Sequence, residues 1–333
     1  MFIIQSYPLA VAFCVITMIC WGSWANTQKL AAKTWRFELF YWDYVIGILL
    51  FSIISAFTLG SNGEGGRSFL DDLKQADTSN LASALLGGII FNAANILFSA
   101  AIAIAGMAVA FPIAIGLALV LGVIVNYSAS QKGDPAFLFA GVALVAVAII
   151  INAVAYKKSD SNKQKTSAKG IIISLIAGVL MSFFYRFIAS SMDLENFTAP
   201  ATGKMTPYTA VFIFSFGIFL SNFVFNTILM KKPFTGAPVN YAEYFKGKLT
   251  THMVGILGGL IWGIGNSFNL IAAGKAGTAI SYGLGQGATL IAALWGVFIW
   301  KEFKQSPKGT VSYLIAMFLF FILGLALIIY AGM

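Results

Sequence analysis

Apolar runs of about 20 residues recur along the whole chain, and each is long enough to cross a hydrocarbon core of about 30 Å as an α-helix. That recurrence decides the fold class before any motif is considered. Ten spans are predicted, at Tyr7–Ala25, Leu39–Leu59, Leu81–Ile104, Met107–Ser128, Ala136–Tyr156, Gly170–Ile188, Tyr208–Met230, Leu249–Ala273, Thr278–Trp300 and Gly309–Tyr330. They are called spans one to ten. The Ala105-Gly106 and Gly274–Gly277 joints leave room only for tight helical hairpins. The chain is read as an all-α integral membrane protein.

Charge agrees with that reading. Only 10% of the residues are charged, against about 25% in soluble domains. The net charge of +9 therefore reports topology rather than a nucleic-acid partner. Of the 21 lysines and arginines, fifteen fall on the joints after spans one, three, five, seven and nine, and six on the opposite side. The positive-inside rule puts the fifteen in the cytoplasm, and an even number of spans then puts both termini outside, in the cell (inner) membrane. Cys14 and Cys20, six residues apart in span one, are read as packing residues. The first run has no basic n-region and no small-x-small site before Trp21, so it is not expected to be a cleaved signal peptide.

Residues 157–169 are rich in Ser and Lys and read as a cytoplasmic linker between two five-span halves, 1–156 and 170–333. One common offset places Gly87, Gly88, Asn95, Ala105 and Gly106 on Gly258, Gly259, Asn266, Ala276 and Gly277. With an odd number of spans per half, the two copies are inverted, the usual plan of secondary transporters with a site at the repeat interface.

Ten spans in a 5+5 inverted repeat resemble the drug/metabolite transporter superfamily. The Cys20-Trp-Gly-Ser-Trp24 motif, the FYWDY block opening span two and the Asn-rich run GGIIFNAANILF in span three are similar to its glucose/ribose porter branch. Related branches are the rhamnose–proton symporters and the ureide permeases. The resemblance covers nearly the whole chain and implies a permease.

Asp43 is the one carboxylate inside an apolar run, and such groups usually mark ion or proton pathways. It is the candidate for proton coupling, set against an interfacial acid in the first turn of a helix. Glu38, beside Arg36, reads as a surface pair. Arg186 offers either a donor to solute or a side chain that snorkels to the outer headgroups. Gly88, Asn92, Asn95 and Ser99 share one face of span three, as do Trp262, Asn266 and Asn269 in span eight. Their amides both donate and accept, matching sugar hydroxyls or ureide amides without a net charge; the alternative is interhelical glue. Tyr282 and Gln286 add a polar face to span nine. Trp21, with Asn26 nearby, offers an aromatic surface in span one, and Trp24 is assigned to the interfacial aromatic belt. Pro112 and the repeat-related Gly283, with Gly287, are expected to break or bend spans four and nine.

These residues point to a secondary carrier for a small neutral polar solute, with proton-coupled sugar uptake as the leading reading. A ureide or allantoin-type permease and a drug or metabolite exporter are the alternatives, and a passive channel is the reading from another class. No nucleotide or metal site is expected: the glycines of span nine have no preceding strand and no closing Lys-Ser/Thr. His252 lies at a span end without matching ligands, so an intramembrane enzyme is not expected. No cofactor is implied beyond the proton gradient. The partners are the solute and the lipid bilayer, and the oligomeric state is left open. The acidic segment Gly60–Asn80 reads as a solvated outer loop with a short amphipathic piece.

Overall fold

A computed structural model describes residues 1–32, 34–63, 65–159 and 167–333. Most of the expected 157–169 linker, residues 160–166, therefore lies outside the described residues. Ten helices are long and apolar enough to cross a membrane: Tyr7–Ala31, Phe37–Phe57, Thr78–Ala105, Val109–Ala129, Pro135–Ser159, Ala168–Ser190, Pro207–Lys231, Leu249–Ala276, Thr278–Ile299 and Thr310–Tyr330. They keep the numbers of the predicted spans.

Span one runs six residues further than its polar NTQK segment predicts. The reason is local. Asn26 Nδ2 and Thr27 Oγ1 donate to the carbonyls of Ser23 and Trp24, so these polar side chains are satisfied within the helix. The two short turns depend on glycine: Gly106 and Gly277 have φ of 77° and 82°, a region that costs other residues but not glycine. Span four holds Pro112 inside a continuous helix. Span nine is interrupted, with a junction at Gly287 between Thr278–Gln286 and Ala288–Leu294 and a π-helical stretch at Trp295–Ile299. The break thus falls at Gly287, one turn beyond Gly283, which lies within regular helix.

Packing repeats between the halves. Span three lies against spans six and seven, as span eight lies against spans one and two; span four meets six as nine meets one. Spans two and seven, four and nine, and five and ten pair with each other. Glycines make the closest crossings. A Cβ on Gly88 or Gly217 would overlap the carbonyl of Phe214 or Leu85, and one on Gly47 or Gly259 would overlap that of Ile256 or Tyr44. Such small-residue contacts let backbones approach where the bilayer supplies no hydrophobic drive between helices.

The two ends of the bundle differ. The termini and the joints after even-numbered spans share one end, where Tyr7 Oη donates to the Ile329 carbonyl and the Met1 ammonium to that of Gly65. This terminal end is sealed. The short amphipathic piece expected in the acidic joint is the helix Phe69–Gln75, but the joint is not simply solvated, because Phe69 and Asp72 are fully buried. Arg67 Nε donates to Asp72 Oδ1 at 2.9 Å, and the Arg67 guanidinium also reaches the carbonyls of Pro200 and Lys204. Asp72 Oδ2 accepts from the Thr206 amide at 2.7 Å. A buried carboxylate is tolerable when paired and hydrogen-bonded in this way, which is why this acidic segment folds against the span six–seven joint.

Candidate functional site

The Lys-rich end is open. A vestibule of about 1000 Å³ is lined by Gln28, Lys29, Arg36, Glu38, Tyr156 and Glu302, together with the end of span three. Lys29 pairs with Glu302, whose other carboxylate oxygen accepts from Tyr156 Oη at 2.8 Å. On the other flank Glu38 is fully buried rather than at the surface, held by Arg36, which also reaches the Thr235 and Ala237 carbonyls. The correction has a simple cause: the span seven–eight joint folds over the start of span two and covers it.

Between spans four, five and nine, a second cavity contains Pro112, Asn152 and Tyr156, shares Tyr156 with the vestibule, and shares Phe111 and Thr289 with a third. This innermost chamber is lined by Trp21, Trp24, Phe91, Phe98, Phe111, Phe184 and Trp262, with Ile115, Met181 and Ala288. Its polar groups are Asn95, Gln286 and Thr289. Among the described residues no charged side chain lines it. Trp21 and Trp262 stack with centroids 6.0 Å apart and planes 9° from parallel, and Phe91 lies 4.2 Å from Trp262. The Trp21 indole N–H is buried without a partner. The chamber holds about 40 Å³, space for a few waters at about 10–15 Å³ each. This is therefore a nearly closed site whose aromatic walls must part to admit a solute.

Of the candidate residues, Trp21, Asn95, Trp262 and Gln286 come together here. Trp24 joins them, instead of standing in an interfacial belt, because span one continues past it and tilts it onto Tyr44 at 4.8 Å. Asn95 Nδ2 donates to Tyr41 Oη at 3.2 Å. The other candidates lie outside this lining. Asn92 donates to Ser221 on span seven, and Asn26 accepts from Trp300 at the vestibule rim. Asn269 donates to the Ser281 carbonyl, and Tyr282 to those of Ala118 and Met181. Asn266 is buried, with neither amide atom partnered, and lies outside the chamber lining. Arg186 is exposed near the terminal end, against the Val125 carbonyl and Ser128 Oγ. The phenylalanines and Asn152 gave no signal in the sequence, since an apolar helix carries such residues on every face.

Asp43 is 1% exposed and lies off this route. Its Oδ1 accepts from Tyr244 Oη at 2.6 Å, and its two oxygens are 2.9 and 3.0 Å from His252 Nδ1. His252 thus has the partner that its sequence context did not reveal. Burial, and the hydrogen bond given to Asp43, hold the Tyr244 hydroxyl above its ordinary range, so it remains a donor.

Ten membrane-length helices around a nearly closed, uncharged chamber, with a vestibule at the Lys-rich end, define a membrane transporter. The sequence model of the ureide permease family matches residues 40–169 and 157–331, and the chain belongs to that family. It is 23% identical to ureide permease 1 of Arabidopsis thaliana over 98% of both chains. A putative sugar uptake protein of Streptococcus pyogenes is 24% identical over 67% of this chain and 70% of its own. A solved crystal structure matches with a TM-score of 0.61, at 15% identity and over 96% of each chain, and shares the fold.

Proposed function

We propose that the protein is a secondary carrier for a small, neutral, planar solute of the ureide type, driven by the proton gradient. One observation carries the reading: the chamber is built of aromatic rings and two primary amides, with no charged lining residue. Rings stack on a flat heterocycle, and the Asn95 and Gln286 amides supply both donors and acceptors for adjacent ring N–H and C=O groups. The family relationship supports ureides over sugars, reversing the order of preference drawn from the motifs. With the Lys-rich end cytoplasmic under the positive-inside rule, the vestibule faces inward and the Arg67–Asp72 seal faces outward. The two five-span halves then act as an inverted repeat that rocks about the chamber, a plan supported by the matching helix pairings of the halves.

The test is uptake into proteoliposomes with an acidic exterior, across allantoin, xanthine, glucose, ribose and rhamnose. Allantoin should accumulate above its external concentration, and collapse of the pH gradient should abolish that accumulation. Accumulation of a sugar without allantoin would overturn the solute class, and undiminished accumulation at equal pH would overturn proton coupling.

A further inference from the structure

His252 is the chain's single histidine, and the carrier reading leaves it unused. It stands at the Lys-rich end with its Nδ1 against both oxygens of buried Asp43, while its side chain stays 17% exposed. Trp35 meets the ring edge-on at 5.2 Å, and Tyr244 does so at 4.8 Å. Among the described residues no partner takes Nε2; Gly247 is beside it, so close that a Cβ there would crowd the nitrogen. The imidazole therefore has one nitrogen on a carboxylate and the other at the rim. In this form, with the Lys-rich end open, that arrangement lets a proton exchange between His252 and that side.

The charged and titratable groups facing this histidine are few. Asp43 comes from span two and Tyr244 from the short helix Tyr241–Phe245 in the span seven–eight joint. Glu243, Lys246 and Lys248 on the same joint are exposed and make no hydrogen bond to the pair. Tyr244 keeps its proton, as noted above. Histidine is the side chain whose charge ordinarily changes between pH 5 and 8, and this ring is the group that bridges the buried carboxyl and the partly exposed joint. Asp43, hydrogen-bonded to Nδ1, is the partner that makes a proton on the ring acceptable at a membrane boundary.

The pair also has a mechanical route to the chamber. Asp43 is flanked on span two by Tyr41 and Tyr44. Tyr41 Oη accepts from Asn95, and Tyr44 packs on Trp24, so both tyrosines touch chamber-lining residues. On its other side Asp43 presses on span eight, where a Cβ at Gly255 would overlap its own; two turns further along the same helix is Trp262. Any change in how the Asp43–His252 pair holds spans two and eight together is thus passed to two walls of the solute site.

We propose that the coupling proton is carried on His252, with Asp43 as its fixed partner, and that its binding is linked to solute binding through Tyr41 and Tyr44. The step is a proton equilibrium: the proton adds to the imidazole from one aqueous side and leaves to the other, with no other bond changed. The inference rests on the proton-driven reading above.

Because there is one histidine, ring-labelled histidine gives a single imidazole NMR signal from the wild-type protein, and its titration can be followed in detergent with and without allantoin. Linkage is reciprocal, so a solute that binds better to the protonated carrier must raise proton affinity by the same factor. Saturating allantoin should move the midpoint upward by about one pH unit, a tenfold change. An unmoved midpoint overturns the proposal even if wild-type uptake is proton-driven. In proteoliposomes, His252→Asn, which keeps an amide donor near the Nδ1 position, should lose gradient-driven accumulation of allantoin while retaining counterflow exchange within about twofold. Wild-type accumulation by this variant would also overturn the proposal. Wild-type uptake indifferent to the pH gradient would instead remove the proton-driven reading itself.

Discussion

Gln286 and Trp262 show what the chamber asks of single residues. Gln286 reaches the cavity, and its side chain makes no hydrogen bond to the protein among the described residues. Gln286→Leu should therefore leave folding intact and weaken allantoin uptake through KM, by about 10- to 100-fold for one lost polar contact to the solute. A change below twofold would place the solute elsewhere. Trp262 stacks on Trp21 and lies against Phe91. Trp262→Phe keeps a ring and should lose only about 0.5–1.5 kcal/mol of stacking, whereas Trp262→Ala should abolish transport. Equal activity of the two variants, measured as initial rates, would argue against a stacked solute. These residues were legible in part. Trp21, Asn95, Trp262 and Gln286 were marked by helical spacing of polar and aromatic residues on apolar runs. Spacing alone did not distinguish Asn95 from Asn92, three residues away on the same face, because the distinction lies in Ser221 on span seven. Nor did it distinguish His252 from an idle terminal residue, since its partner is 209 positions away.

At the scale of the helix, glycine crossings and the terminal seal set the limits. Gly259 on span eight runs against the Tyr44 carbonyl of span two, so a Cβ there would collide with backbone that cannot rotate away. Gly259→Ala should cost at least about 1–3 kcal/mol, the usual range for overpacking, and lower the melting temperature of the purified protein. Gly116→Ala is the control, because its nearest neighbour is the Ile149 methyl at 3.5 Å, and it should melt as the wild type does. Comparable melting of both variants would contradict the close crossing. The seal makes a separate prediction. Arg67 ties the Phe69–Gln75 helix to the span six–seven joint through Asp72 and the carbonyls of Pro200, Ala201 and Lys204. Arg67→Ala leaves a buried carboxylate short of its cation, a loss of about 3–5 kcal/mol where it is not relieved. Opening the terminal end is one way to relieve it. A cysteine placed at Phe98 in the chamber should then react faster with an impermeant maleimide from the terminal side than it does in an otherwise wild-type carrier.

Across the whole molecule, the three cavities form one stepped route from the Lys-rich end to the bundle centre, and the opposite end is closed by paired joints. Ala103, an exposed residue of the vestibule at the end of span three, reports on this asymmetry. Ala103→Cys should label readily from the Lys-rich side and slowly from the terminal side. Equal labelling from both sides would mean a continuous pore and favour a channel. The same helix pairings recur in both halves, so the rearrangement that closes the vestibule is expected to use the crossings that now hold the seal.

Taken alone, the amino-acid order determined the fold class, the number of spans and the absence of charge from most of the interior. These are properties of single segments, set by length and transfer free energy, and any helix of that composition must satisfy them. Tertiary structure alone decided which amides line the chamber, that the Gly60–Asn80 joint folds into a seal, that Glu38 is buried and that Asp43 meets His252. The physical reason is that lipid tails and helix cores are equally apolar, so a membrane helix shows little difference between its lipid-facing and protein-facing sides. Which polar group finds which partner is settled only when helices distant in sequence come into contact.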